Sequence, residues 1–388
     1  MATLTLDPSQ LRAVDLVRQG RDLLITGGAG TGKTTVIATI ITALRRECEL
    51  LAPTGKAAAR LREVTGFPAS TIHSWLRFDG ESYNRAGRAK LPLIVDEASM
   101  IDSELLARLQ SFGPPQIILV GDAAQLPPVG RGQPFHDLLV LRPDMAITLT
   151  VNHRQGAAIH EAATLIRQGQ LPPAKLVGGG ETWAAQETGG GADTEKVLRA
   201  WLDAKHLDFS KDIILTGNNG ETEEDYGSVL TLNKLIASIV NPRGPDEAWR
   251  VGDRVMNTKN ANEDDWYNGD SGTVTGIDTS GNLWVSVDRP REQGAEILLT
   301  AAHRKHLKLA YAVTIHKSQG SQYRNVVLVM LKRQQELLSR ALVYTAVTRA
   351  RKQVIVVGQM AALANALSNQ EHKATVLQRL AGIAPKVA

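Results

Sequence analysis

The sequence predicts an α/β protein made of two successive α/β regions, the second interrupted by a short all-β segment. Three observations carry this. The apolar run Leu23-Leu24-Ile25 leads into Gly27-Gly28-Ala29-Gly30-Thr31-Gly32-Lys33-Thr34-Thr35 and then Val36-Ile37-Ala38-Thr39-Ile40-Ile41, which reads as strand, glycine-rich loop and helix. Apolar strand candidates alternate with helical patterns through the first third of the chain and again after Ala146. From about Met256 to Leu309 the pattern changes to short β pieces joined by turns.

In chain order, the first region offers strands at Asp22–Thr26, Glu49–Pro53, Leu91–Asp96 and Gln116–Gly121, with helical patterns between them at Lys33–Arg46 and Lys56–Val64. That alternation is the signature of a parallel sheet covered by helices. The glycine triplets Gly178–Gly180 and Gly189–Gly191 read as loops. The second region offers strands at Ala146–Val151, Asp212–Thr216, Val326–Met330 and Val354–Val357. Its interruption carries the turns Asn268-Gly269-Asp270 and Ser280-Gly281-Asn282, and the alternating run Leu283-Trp284-Val285-Ser286-Val287. A small β-barrel is the expected form.

The 388 residues leave room for two or three domains with their own cores. The single cysteine, Cys48, excludes an internal disulfide and fits a reducing compartment. The N-terminal stretch lacks the basic flank and apolar core of a signal peptide, and no apolar run approaches membrane-spanning length. A cytoplasmic location and no membrane partner are expected. The net charge is only +4, but it is unevenly spread: Ala301–Lys352 holds eleven Lys and Arg against one acid, Glu336. Such a bias suits a polyanion partner or a solvated basic face.

The glycine loop fits G-x-x-x-x-G-K-[ST], the phosphate-binding P-loop. Its glycines let successive backbone N–H groups turn inward around a phosphate, and the following helix adds its positive end. Lys33 would neutralise the β- and γ-phosphates, and Thr34 would hold Mg²⁺ through its hydroxyl. Leu93-Ile94-Val95-Asp96-Glu97 is an apolar strand ending in two carboxylates, expected to lie beside the P-loop strand. Asp96 would then reach the Mg²⁺ and Glu97 would position and deprotonate a water. After the run Ile117–Asp122, Gln125 is placed to touch the γ-phosphate and the attacking water, or is a polar turn residue. Arg154, in Asn152-His153-Arg154-Gln155, and Arg349, in Thr348-Arg349-Ala350-Arg351, both fall in the second region. An arginine from a second domain stabilises charge on a transferring phosphoryl group, whereas either alone also reads as a surface or ion-pair residue.

Taken in order, these segments resemble the motifs of superfamily 1B DNA helicases of the RecD-like group, including short phage Dda-type enzymes. Leu6-Asp7-Pro8-Ser9-Gln10 is similar to the adenine-reading segment, with Gln10 as the reader. Gly27–Thr35, Leu51–Ala58, Thr71–Leu76, Val95–Met100, Val120–Val129, Asn152–Gln155, Thr314–Gly320 and Val343–Arg351 resemble the succeeding motifs. The wording Gln125-Leu126-Pro127-Pro128-Val129 is similar to the RecD-like rather than the UvrD-like branch.

The resemblance implies two RecA-like P-loop lobes, over 1–145 and over 146–255 with 310–388. It also implies an inserted SH3-like β-barrel at 256–309 and a short β-hairpin pin at about 77–91. ATP would be bound by Gln10, Gly28, Ala29, Gly30, Thr31, Gly32, Lys33, Thr34, Thr35, Gly320 and Gln322, and hydrolysed with Mg²⁺ between the lobes. Single-stranded DNA would run along Pro53, Thr54, Lys56, His73 and Pro127 in the first lobe and Thr314, His316 and Lys317 in the second. Phe78 and Tyr83 would stack on a base at a fork or pack within their own turn. Gln322 departs from the acidic residue common in the family, which puts nucleotide preference in doubt.

The implied activity is ATP-dependent 5′→3′ translocation on single strands with unwinding of tailed duplexes. A translocase that strips proteins and unwinds weakly, and an ATP-switched DNA-binding subunit of a larger recombination complex, are the alternatives; the sequence leaves any replication or recombination protein partners unidentified. On this reading Lys33→Ala abolishes nucleotide turnover while DNA binding persists. Turnover assays paired with DNA-binding titrations check it, and normal turnover would remove the P-loop from the chemistry.

Overall fold

A computed structural model of the chain describes residues 6–151, 157–204, 206–222, 224–242, 244, 248–259, 266, 268–288 and 296–369. They form two compact units, one over 6–151 and one over 157–369.

The first unit opens with α1 (Pro8–Arg18), whose N-terminus is closed reciprocally. The Asp7 carboxylate accepts from the Ser9 and Gln10 N–H groups, and Gln10 Oε1 accepts from the Asp7 N–H. There follow β1 (Leu23–Gly27), α2 (Lys33–Ala43), β2 (Glu49–Ala52), α3 (Gly55–Thr65), β3 (Ala69–Thr71), α4 (Ile72–Trp75), β4 (Leu93–Val95), α5 (Ser103–Ser111), β5 (Ile117–Gly121), α6 (Pro134–Leu141) and β6 (Ala146–Leu149). Among the described residues the sheet order is β3-β2-β4-β5-β1-β6, every neighbouring pair parallel.

Alternate residues of each strand face opposite sides. Leu23, Ile25, Leu50, Ile94, Ile118 and Val120 pack with residues of α1, α2 and α3 such as Val14, Ile37 and Leu61. Leu24, Leu51, Leu93, Val95 and Leu119 pack with Trp75, Leu105, Leu109 and Phe135 from α4, α5 and α6. Burial on both faces explains why these strands read as continuous apolar runs.

Two expectations are corrected here. The carboxylate-bearing strand β4 does not lie beside β1; β5 pairs with both and stands between them. The run from Ala146, assigned to the second region, pairs in parallel with β1 and closes the first sheet. Ile147 and Leu149 are buried in the first unit's core, which anchors the strand there.

Between α4 and β4 the expected hairpin is a single antiparallel bridge, Phe78 to Tyr83. Its turn is held by the Asp79 carboxylate, which accepts from the Glu81 and Ser82 N–H groups, the Ser82 hydroxyl and the Asn84 amide. These bonds hold the Asp79 carboxyl below the usual carboxylate range. The Phe78 and Tyr83 rings lie 4.7 Å apart, and the His73 ring sits 5.4 Å from Phe78. The two aromatics therefore pack within their own turn.

The second unit contains α7 (Ala158–Arg167), β7 (Lys175–Gly178), β8 (Glu181–Glu187), α8 (Gly191–Asp203), β9 (Ile213–Thr216) and α9 (Val229–Val240). Then come β10 (Arg254–Asn257), β11 (Ser271–Ile277), β12 (Leu283–Val287), β13 (Glu296–Leu299), α10 (Ala301–Arg304) and β14 (Leu307–Leu309). It ends with β15 (Ala312–Thr314), β16 (Tyr323–Met330), α11 (Arg340–Val347), β17 (Ala350–Gly358) and α12 (Met360–Ser368). The larger sheet runs β15-β9-β16-β17-β8-β7 among the described residues, parallel except for β7. Gly179 (φ +57°) and Gly180 (φ +72°) make the tight β7–β8 turn, a conformation that favours glycine.

Strands β10 to β14 form a separate antiparallel sheet, in the order β13-β12-β11-β10-β14, around Val255, Trp266, Val274, Leu283, Val285 and Leu299. It starts at Arg254 rather than Met256, because Val255 pairs with both Gly272 and Leu309. A buried polar knot marks its exit. Asn233 of α9 accepts from the Tyr311 and Ala312 N–H groups and donates to the Ala312 and Val229 carbonyls. The Tyr311 hydroxyl donates to the Asp253 carboxylate at 3.1 Å.

Replacing Asn233 with Ala would leave several buried backbone groups unpaired, at a cost of about 2–4 kcal/mol. Urea unfolding followed by far-UV circular dichroism checks this for Asn233→Ala, and an unchanged midpoint would contradict it.

Candidate nucleotide site and nucleic-acid surfaces

The first unit brings three strand ends to one edge in the order β4, β5, β1. After β1, the loop reaches Gly32, whose φ of +79° favours glycine, and α2 begins at Lys33 with no side chain capping its first N–H groups. An added Cβ at Gly27 would stand 2.5 Å from Thr31 Oγ1, so the loop closes on itself tightly. The Lys33 ammonium donates to the Gly27 and Gly28 carbonyls at 2.7 and 3.0 Å, and Thr31 Oγ1 donates to the Gly28 carbonyl at 2.9 Å. Lys33, Thr34 and Thr35 form the uncapped first turn of the helix, the geometry that binds an anion.

After β4, burial and the neighbouring Glu97 carboxylate push Asp96 from 3.8 up to about 7, while the Lys33 and Arg60 charges pull it down. The Lys33 charge thus acts on Asp96 although a strand separates β4 from β1. Arg60, on α3, lies just outside the quoted motif segment Leu51–Ala58. Glu97 sits at φ +52°, a strained conformation for a side chain of its size. Its Oε2, the Ser99 hydroxyl and Gln125 Oε1 are buried without a hydrogen-bond partner among the described residues. Gln125 and Ser99 are 5 % and 0 % exposed, so these polar atoms are held away from bulk solvent.

The Thr34 hydroxyl and the Asp96 carboxylate are hard oxygen ligands of the kind Mg²⁺ takes. Among the described residues no group of three or more His, Cys, Asp or Glu could hold a metal. A cation here would therefore share its ligands with phosphate oxygens and water, which is the usual arrangement for Mg²⁺ at nucleotide sites. The donor set fits.

Gln10 is buried, with its Nε2 donating to the Thr31 carbonyl at 3.3 Å. In the second unit, Gly320 has φ +76°, and Gln322 Oε1 accepts from Arg351 Nε at 3.1 Å. Arg349 is 3 % exposed. It donates to the Thr345 and Ser321 carbonyls and the Thr348 hydroxyl over 3.2–3.5 Å. These long bonds include no carboxylate, and among the described residues no ion pair is formed by this buried guanidinium. Arg154 and the rest of Asn152–Gln155 lie outside the described residues.

The nucleic-acid candidates of the first unit gather at the other side of its sheet edge, where β2 and β3 end side by side with Ala52 opposite Thr71. Thr54 caps α3 by accepting from the Ala57 N–H, and Thr71 caps α4 by accepting from the Ser74 N–H. Pro53 and Lys56 flank the first cap, and His73 lies in the first turn after the second. Burial holds His73 below its ordinary pKa, so it is neutral at pH 7 and offers hydrogen bonds rather than charge. Pro127 lies with Gln125 after β5, away from this pair of caps. Thr71 is a further hydroxyl here that the motif reading left unassigned, although it opens the Thr-Ile-His segment. In the second unit Thr314 ends the edge strand β15, and its hydroxyl accepts from the Lys317 N–H. His316 and Lys317 are exposed beside it, and partial desolvation of the ammonium together with the Lys308 charge lowers the Lys317 pKa. Trp75 is core, covered by the Arg85 guanidinium at 3.7 Å, whereas Trp284 is 40 % exposed.

A strand, P-loop and helix followed by acidic and amide-bearing strand ends define a P-loop nucleotide-binding unit. Residues 5–179 match the AAA domain family model, and residues 309–357 match the UvrD-like helicase C-terminal domain model. The chain is 33 % identical to the ATP-dependent RecD2 DNA helicase of Deinococcus radiodurans, an alignment covering 97 % of this chain and 52 % of that protein. It is 31 % identical to the RecBCD enzyme subunit RecD of Mycolicibacterium smegmatis, over 92 % of this chain and 72 % of that one. The chain belongs to the RecD-like family of superfamily 1B helicases. It spans about half the length of the Deinococcus relative. Its fold is similar to Pif1 helicase from Bacteroides solved with ADP-AlF3 and ssDNA, with TM-score 0.57 and 20 % identity over 91 % of this chain and 92 % of that one. Pif1 helicase from Candida albicans gives 0.54 at 20 % identity, over 91 % and 94 %.

Because Asp96 binds its proton more tightly folded than unfolded, its contribution to stability falls as pH rises from about 4 through about 7. Without metal, Asp96→Asn is therefore more stable than wild type at pH 8, by roughly 1–3 kcal/mol, with a smaller gap at pH 5. Chemical denaturation in EDTA at the two pH values checks this; a gap independent of pH would contradict it.

Proposed function

We propose that this chain is an ATP-dependent DNA helicase that translocates 5′→3′ on single strands, hydrolysing ATP with Mg²⁺. The observation that carries the reading is the β4–β5–β1 edge. One edge gathers a P-loop lysine, a hydroxyl and a carboxylate suited to Mg²⁺, and buried Glu97 and Gln125 groups that lack partners among the described residues. Bound Mg²⁺ would supply charge neutralisation at the phosphates, held by Thr34 and Asp96. Glu97 would orient and take a proton from the attacking water, with Gln125 holding that water against the γ-phosphate.

Arg349 supplies the second unit's part. Among the described residues this buried guanidinium is held by two carbonyls and a hydroxyl and by no carboxylate, and on this reading a phosphoryl group in transfer would balance its charge. Arg154 is proposed alongside it on the resemblance alone. The DNA path is read along Thr54, Thr71 and His73 and along Thr314, His316 and Lys317. Hydroxyls, helix N-termini and cations there would grip phosphates without reading bases. The relatives support the substrate: the Deinococcus protein is named a DNA helicase and the Bacteroides Pif1 was solved with ssDNA. The five-stranded antiparallel sheet is read as the SH3-like insert, the Phe78–Tyr83 turn as the pin, and the location as cytoplasmic.

That turn also favours a second reading, a translocase that displaces bound proteins and separates strands weakly, because one bridge is a short wedge. A strand-displacement assay on 5′-tailed and 3′-tailed duplexes separates the two. Displacement from the 5′ tail is expected; preference for the 3′ tail would contradict the polarity, and translocation with no displacement would favour the second reading. Arg349→Ala should slow hydrolysis by about 10³-fold or more, as loss of an arginine finger does. Near-normal turnover in that variant would remove Arg349 from the site.

A further inference from the structure

The turn that carries Gln125 closes on itself. The Gln125 N–H donates to the Asp122 carbonyl at 3.1 Å, and the Ala124 N–H donates to the Asp122 carboxylate at 3.0 Å. Two further bonds tie the middle of this turn to neighbouring elements. The Ala123 N–H donates over a long 3.4 Å to Thr26 Oγ1, on β1 just ahead of the P-loop. The Ala123 carbonyl accepts from His136 Nε2, on α6, at 2.9 Å. A carbonyl can only accept, so Nε2 carries the imidazole proton. Burial holds the His136 pKa below its ordinary value, and the ring is neutral at pH 7.

The start of α6 is a firm platform for that donor. Pro134 opens the helix with its φ already suited to one. Phe135, 1 % exposed, packs so closely on the end of β5 that a Cβ at Gly121 would stand 3.0 Å from its ring. The backbone that carries His136 is therefore fixed beside the turn. Ala123 itself is exposed, whereas Gln125, two residues on, is buried. His136 lies outside the motif segment Val120–Val129 and has had no part in the site described above.

We propose that His136 is a positioning residue for hydrolysis: by donating to the Ala123 carbonyl it holds the Asp122–Gln125 turn where Gln125 meets the attacking water. The inference rests on the assignment of Gln125 to that water in the proposed function.

Steady-state ATP hydrolysis by the full chain, with Mg²⁺ and saturating single-stranded DNA, tests it. His136→Phe keeps an aromatic ring without a donor, and His136→Ala serves if the phenyl ring does not fit. His136→Gln offers a neutral amide donor at similar reach. Loss of the donor should lower kcat roughly three- to tenfold, as one lost hydrogen bond does, and leave KM for ATP within about twofold, because Lys33 and Thr34 are untouched. His136→Gln should recover most of the rate. In a Gln125→Ala background, removing the donor should slow the chain no further, because His136 acts through Gln125. Wild-type kcat without the donor, no recovery in His136→Gln, or a slowing that multiplies with that of Gln125→Ala would each overturn the proposal. If the wild-type chain hydrolyses no ATP, or Gln125→Ala matches it, the assignment of Gln125 itself fails, and the brace with it.

Discussion

The structure of the first unit depends on the parallel register of three strands, β4, β5 and β1, which end together at one edge of a buried sheet. Parallel strands place all their C-terminal ends on one side, and the loops leaving them hold whatever chemistry the sheet has. Here those loops carry Lys33 and Thr34, Asp96 and Glu97, and Gln125. Carboxyl and amide groups at such an edge are costly unless something polar meets them. Asp96 feels that cost as a raised proton affinity, and Glu97 and Gln125 as atoms lacking partners among the described residues. On the proposed reading, a metal-bound triphosphate would meet these groups together.

The second unit repeats the architecture with a different cargo. Its parallel sheet has no P-loop among the described residues. Its edge strand β15 leads into the exposed His316 and Lys317, while Arg349 lies buried after α11. The first unit likewise places Thr54 and Thr71 at the ends of β2 and its edge strand β3. Apart from Pro127, which follows β5, the candidate DNA contacts follow strands at one flank of each sheet. In the first unit, β4, between β2 and β5, separates them from the β5 and β1 loops that share in the phosphate chemistry.

Much of this was legible in the sequence where burial is continuous. Strands β1, β2, β4, β5, β9, β16 and β17 are apolar runs because helices cover both faces of their sheets, and the P-loop declared itself through glycine spacing. Strand order was not legible: nothing in Leu93–Val95 says that β5 stands between it and β1. Strand β6 was assigned to the wrong unit, since its short run carries no mark of the partner it pairs with. Strands β7 and β8 were missed because edge position makes Lys175–Gly178 mostly exposed, and the Glu181–Glu187 run is too polar to read as apolar. Their Gly179–Gly180 turn was visible only as a loop. Of the site, the sequence offers the motif residues as candidates, whereas the charge of Arg60 on Asp96 and the burial of Ser99 show only in the packing, because they depend on neighbours distant in the chain.

The central claim is that phosphate chemistry at the β4–β5–β1 edge is coupled to a single strand of DNA. Measuring the rate of phosphate release from ATP by the purified chain, with and without single-stranded DNA, tests it most directly. The account predicts a rate that rises with added single strand and loses that stimulation as salt screens the phosphate contacts. A chain that binds ATP but hydrolyses it at a rate indifferent to DNA would contradict it.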